Sequence, residues 1–159
     1  MPDPLDKLVD DIVQRVQDKM HKQASPQTPS SSTSGTATPT DLANLIDHTL
    51  LKPEVTKEEL KKLCQEAMEY RFKTVCVNSA NVAYCSSLLR GSSTVAIAVV
   101  GFPLGAMSAQ AKAFETKEAI AAGAAEIDMV INIGALKDTD YVTVLDDIIA
   151  VVQAAAPKP

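Results

Sequence analysis

The sequence predicts an α/β fold of parallel strands: the N-terminal four βα units of a (β/α)8 TIM barrel, preceded by an amphipathic helix and a Ser/Thr/Pro-rich linker. Three observations predict it. Short apolar runs alternate with longer helix-periodic segments from residue 45 onward. The repeat averages about 30 residues, the length of a βαβ unit. Within the strands, the polar residues share one face. A complete (β/α)8 barrel takes about 250 residues, so residues 41–159 have room for half of one. An open doubly wound sheet also fits the length. The polar column favours the barrel, because helices over both faces of a sheet would leave no polar side.

Residues 1–22 carry the first element. Asp3 can cap it, Pro4 suits the first helical position, and Asp6 lies near the positive end of the helix dipole. Leu5, Val9, Ile12, Val13, Val16 and Met20 fall on one face, which predicts an amphipathic helix packing on its own domain or on a neighbouring subunit. Residues 23–40 are uncharged and dominated by Ser, Thr and Pro, the composition of a flexible linker. The compact domain is therefore expected over 41–159.

Within that domain, LIDHTL (45–50) reads as the first strand. T-K-E-E (56–59) follows, a capping box in which Thr56 and Glu59 satisfy each other's backbone donors. Leu60, Leu63, Cys64 and Ala67 then recur at helical spacing. KTVCVN (73–78) is the second strand, and 80–90 reads as a weaker helix ending before Gly91. TVAIAVVGF (94–102), nearly all apolar, is the third strand. An Ala-rich helix runs from about Ser108 to a C-cap at Gly123. AEIDMVINIG (125–134) is the fourth strand. Tyr141, Val144, Leu145, Ile148, Ile149 and Val152 mark the buried face of a last helix, which Pro157 stops.

Composition narrows the function. The chain is 46% hydrophobic and 22% charged with a formal charge of −5, and its three arginines are scattered, so it offers no phosphate footprint for nucleic acid. The longest apolar run, Val95 to Met107, is broken by Gly101, Pro103 and Gly105 and falls short of the about 20 residues of a membrane span. Three cysteines without C-x-x-C pairing and only two histidines argue against a metal site and predict a reduced, cytoplasmic setting. The acidic N-terminus predicts neither a secretory signal nor a transit peptide.

Alternation places the candidate chemistry. In the fourth strand, Ile127, Met129, Ile131 and Ile133 should meet helices, while Glu126, Asp128, Val130 and Asn132 point the other way. Thr74, Cys76 and Asn78 share the corresponding face of the second strand, and Asp47 and Thr49 that of the first. Asp47, Cys76 and Asp128 would then converge in a barrel lumen near the strands' C-terminal ends. A partly desolvated carboxylate there suits general acid/base work; pairing with a lysine or capping a loop are the structural alternatives for Asp128. Asp47 can equally hold the following turn or His48. His48 reads as a hydrogen-bonded structural residue, and Cys76 as a small buried one. GFPLG (101–105) lacks the P-loop lysine and G-x-G-x-x-G spacing, and reads as a strand-ending turn at the mouth.

IDHTLLKP (46–53), KTVCVN (73–78), VVGFPLG (99–105), KAFETKEAI (112–120) and AEIDMVINIGALK (125–137) together resemble the deoxyribose-phosphate aldolase family, through nearly all of 41–155. The resemblance implies a (β/α)8 class I aldolase. Such enzymes reversibly cleave 2-deoxy-D-ribose 5-phosphate to acetaldehyde and D-glyceraldehyde 3-phosphate through a lysine Schiff base, without metal or other cofactor. It implies that Asp128 matches the proton-relay aspartate of strand 4. Asp47 and Cys76 match residues beside the substrate, with Thr49 on the face of Asp47 completing the pocket. The family's Schiff-base motif K-T-S-T-G and its later K-x-S-G-G motif do not occur in these 159 residues. Lys52, Lys112, Lys117 and Lys137 match other positions and read as solvated or loop lysines. Two expectations follow: a truncated aldolase chain, inactive alone, or a natural non-catalytic half-barrel acting through self-association or partner binding at its open strand edges.

Overall fold

The computed structural model describes residues 42–156, so the expected helix at 1–22 and the linker at 23–40 lie outside the described residues. Four strands form one sheet: β1 (Asp47–Leu50), β2 (Thr74–Asn78), β3 (Val95–Val100) and β4 (Glu126–Met129). Their spatial order is β1-β2-β3-β4 and every neighbouring pair is parallel. A doubly wound sheet reverses its strand order at a switch point. No reversal occurs here, so the order is that of a barrel wall.

Helices connect the strands: α1 (Lys57–Glu69), α2 (Val82–Leu88) after a 3-10 turn at Ser79–Asn81, α3 (Ala109–Ala121), and α4 (Ile133–Lys137) leading into α5 (Tyr141–Ala155). The capping box at α1 forms as expected: the Glu59 amide donates to Thr56 Oγ1 (3.3 Å) and the Thr56 amide to Glu59 Oε2 (2.8 Å). Ser108 caps α3 and Gly123 follows its last turn.

The core lies between the sheet and these helices. Val75, Val77, Ala96 and Ala98 face Leu60, Leu63, Cys64, Ala67, Val82, Cys85 and Leu89, with Leu50 and Ile127 packed against them. The Leu60 and Leu63 spacing that builds the α1 stripe is thus what ties β1 and β2 to their crossover; each such leucine contributes about 1.5–3 kcal/mol when buried. The opposite face carries a separate small cluster of Cys76, Ile97 and Val99, touched by Leu51 from the β1–α1 loop. Among the described residues, helices back one face only, which is the barrel arrangement.

Several boundaries differ from the sequence reading. β4 ends at Met129; Val130 still donates to the Val100 carbonyl (2.9 Å), but Asn132 caps α4 by accepting from the Ala135 amide (3.1 Å), so Ile133 starts a helix and is exposed. A residue whose side chain satisfies a helix's free amide ends the extended run that apolar content alone would prolong. Leu45 and Ile46 precede β1 and are exposed. The buried face of α5 is Val144, Asp147, Val151 and Ala155, while Tyr141, Ile149 and Val152 are exposed. The expected apolar stripe is rotated because a charged residue, Asp147, occupies the packed side.

Candidate active site

The open face of the sheet carries the residues singled out from the sequence. Registry sets Asp47 beside Thr74, Thr49 beside Cys76, and Ile97 beside Glu126; one step further along, Asn78, Val99 and Asp128 form a row. Asp47, Thr49, Cys76 and Asp128 therefore lie on one face. Asp47 accepts a 2.6 Å hydrogen bond from Thr74 Oγ1, which binds the strand-1 carboxylate to strand 2 rather than to His48. His48 points to the helix side and pairs with Glu66 of α1 at 2.9 Å, a structural role as expected.

Electrostatics tie the three main residues together. The Asp128 carboxyl is held above the ordinary range, first by desolvation among its apolar strand neighbours, then by the negative charges of Asp47 and Glu126. The Cys76 thiol is pushed up to about 11 by burial first, then by Asp128 and Asp47, against a hydrogen bond with Thr49 that acts the other way. Cys76 thus feels both carboxylates, and Asp128 feels Asp47, across the face. Among the described residues no ion pair or hydrogen bond reaches Asp128, so it is neither lysine-paired nor a loop cap there. Glu126 differs: Lys73 pairs with it at 3.4 Å. At neutral pH, Cys76 is a thiol and not a nucleophile.

GFPLG turns immediately after β3, as expected, with a cis Phe102–Pro103 bond. A cavity of about 440 Å³ opens beside it, lined by Leu51, Pro53, Val55, Asn78, Phe102 and Pro103, at the C-terminal ends of β1, β2 and β3. Gly105 packs so closely on the Ile131 carbonyl that a Cβ would stand 2.1 Å from it.

Lys112 departs from expectation. It is fully buried on α3, and its Nζ donates a 2.6 Å hydrogen bond to Asp147 Oδ2 of α5. Asp147 is itself buried and also accepts from the Asn132 amide at 2.9 Å. The sequence reads it as a solvated or loop lysine; only the packing of α3 on α5 reveals the pair. Lys52, Lys117 and Lys137 are exposed as expected. The signal missed in the sequence was Asp147 on the inward side of an otherwise apolar helix. Among the described residues no cluster of His, Cys, Asp and Glu could hold a metal ion, and no helix is long and apolar enough to cross a membrane.

A sequentially ordered parallel sheet, backed by helices on one face and carrying acids and a thiol on the other, defines half of a (β/α)8 barrel with an active-site-like polar lumen. Comparison with known proteins gives the family. The chain is 58% identical over 117 residues to a deoxyribose-phosphate aldolase of Clostridium perfringens, a match covering 74% of this chain and 52% of that protein. A candidate deoxyribose-phosphate aldolase from Coccidioides immitis superposes with a TM-score of 0.72 at 36% identity, covering 86% of this chain and 54% of that one. The tetrameric deoxyribose phosphate aldolase of Aeropyrum pernix superposes with a TM-score of 0.65 at 30% identity, over 76% of this chain and 52% of its own. No protein-family model matches. This segment matches the N-terminal half of the deoxyribose-phosphate aldolase barrel; the chain spans about half the length of the relatives it matches.

Proposed function

We propose that this chain supplies the strand-1 to strand-4 half of a deoxyribose-phosphate aldolase site, and that the imine-forming lysine comes from outside these 159 residues. The observation that supports this is the placement of Asp47, Thr49, Cys76 and Asp128 on one face, within the segment that matches the aldolases. The substrate would be a small phosphorylated sugar, 2-deoxy-D-ribose 5-phosphate, in a cytoplasmic setting and without metal or other cofactor. A class I aldolase needs a lysine amine to form the imine and a neighbouring group to move protons during carbon–carbon cleavage. Asp128 suits the second task, because its raised pKa lets it hold a proton closer to neutrality than an ordinary carboxyl. Asp47 raises that affinity further by its charge, and Thr49 orients Cys76 as a neutral wall of the pocket.

The test has two arms. Borohydride is added to the full chain with deoxyribose 5-phosphate, and intact mass is measured; no lysine adduct is expected, and a stoichiometric adduct on any lysine of this chain refutes the proposal. The second arm adds a polypeptide carrying the later four βα units of a matched aldolase. Cleavage activity should appear in the mixture and vanish with Asp128→Asn; association without activity refutes the proposed role of this half.

A second reading, a non-catalytic half-barrel that acts by self-association, draws on the edges of β1 and β4, unpaired among the described residues, and on Val142 and Val152, exposed along α5. Sedimentation velocity separates the two: homo-oligomers that bind no second half and gain no activity favour this reading, and a monodisperse monomer with a cooperative melt excludes it.

A further inference from the structure

Three loops leave the C-terminal ends of β2, β3 and β4, and side chains of two packed helices, α3 and α5, hold them from behind. On α3, Glu115 uses both carboxylate oxygens: Oε1 accepts from Ser79 Oγ (2.8 Å) in the turn after β2, and Oε2 accepts from the Gly101 amide (3.0 Å) in the turn after β3. One helical turn earlier, the Lys112 stem lies against Gly101 so tightly that a Cβ there would stand 3.0 Å from Lys112 Cε. The ammonium continues to Asp147 of α5, whose same oxygen receives the Asn132 amide in the turn after β4. Glu115 thus joins Ser79 to Gly101, the Lys112–Asp147 pair holds Asn132, and the two sets meet where the apolar stem of Lys112 packs on Gly101.

A buried ion pair is an expensive way to join two helices. Apolar side chains of similar volume commonly hold a fold as well or better, since two charges must be taken out of water. What apolar residues cannot do is accept a loop amide. Asp147 does this for Asn132, and Glu115 does it for Gly101. Asn132 in turn caps α4 and stands four positions after Asp128, where the chain leaves β4. The pair therefore has a directional task that its contribution to packing does not require.

We propose that Lys112, Glu115 and Asp147 are positioning residues: they fix the three loops at the mouth of the half-barrel in one geometry, and through Asn132 they set where the end of β4 holds Asp128. None of the three touches the open face, so they act through the loops. That the mouth is a reaction site rests on the aldolase reading above. The network does not, and its test is read without catalysis.

The test replaces the pair by apolar residues of similar size, Lys112→Met with Asp147→Leu, in the full chain. Amide hydrogen exchange is followed residue by residue by NMR, together with the titration of the Asp128 carboxyl carbon and a urea melt. The expected result is a melt close to that of the parent, with Val75, Val77 and Ala98 amides as protected as before. The Asn132 amide should exchange at least about tenfold faster, the equilibrium effect of losing one hydrogen bond to a charged group. The Asp128 titration midpoint should move. Unchanged exchange at Asn132, or an Asp128 titration identical to the parent's, overturns the proposal; so does a uniform loss of protection in proportion to global stability, which is the signature of a merely structural pair. Should the double variant not fold, Glu115→Ala reads the α3 link on its own: faster exchange at Gly101 with an intact sheet supports the proposal, and parental protection at Gly101 refutes it. Failure of the aldolase reading would show in the borohydride and complementation experiments and leave these exchange results unaltered.

Discussion

Gly105 and Gly91 form a matched pair that separates backbone conformation from close packing. Both have positive φ, +64° and +85°, where a Cβ is strained. For an L-residue that conformation costs about 1–2 kcal/mol. At Gly91 the added methyl would meet nothing within 4 Å, so Gly91→Ala should cost only that amount. At Gly105 the methyl would lie 2.1 Å from the Ile131 carbonyl oxygen and 2.9 Å from Val130 Cγ1. Ordinary contact distance requires a displacement of about 1 Å or more. The obstacle is backbone, held by the Val130 amide on the Val100 carbonyl and by the Asn132 amide on Asp147, and cannot swing aside as a side-chain tip would. Overpacking of this kind adds about 1–3 kcal/mol. Gly105→Ala should therefore destabilise by about 2–5 kcal/mol, against about 1–2 for Gly91→Ala. At about 4 °C per kcal/mol for a domain of this size, the two melting temperatures should differ by about 4–12 °C. Thermal and urea melts followed by circular dichroism check this. Equal losses for the two variants would refute the close approach of the GFPLG turn to the β4–α4 segment.

Two further predictions concern buried and coupled groups. Lys112→Met alone strands the Asp147 carboxylate in the interior and should cost about 3–5 kcal/mol in a urea melt; a loss below about 1 kcal/mol would contradict a buried pair. Cys76 alkylation should be slow at pH 7 and accelerate towards its pKa of about 11, with Asp128→Asn shifting the profile to lower pH because a like charge is removed. The sign for stability follows: the fold holds this proton more tightly than the unfolded chain does. The associated stability is therefore complete below the ordinary thiol pKa of about 8.5 and is lost as pH rises from there through about 11. A thiolate profile centred at or below the ordinary value would refute the desolvated, acid-flanked placement of Cys76.

The sequence by itself determined the order and type of the four strands, the α1 and α3 caps and the face that each strand turns to its helices. These are local properties: period-two alternation, Thr56 three residues before Glu59, Ser108 before an Ala-rich run. It also brought Asp47, Thr49, Cys76 and Asp128 to one face, because alternation in parallel strands needs only registry to align them. Tertiary structure decided what long-range partners control. Asn132 ended β4 early by capping α4 and donating to Asp147. Asp147 turned α5 about its axis, away from the stripe that apolar content alone predicts, because its carboxylate had to meet Lys112 thirty-five residues away. A lysine's burial depends on a partner in another helix, and no local pattern carries that information. The same physics separates what is legible from what is not: a strand's alternation is written into every second residue, whereas a buried charge is explained only by the group that neutralises it.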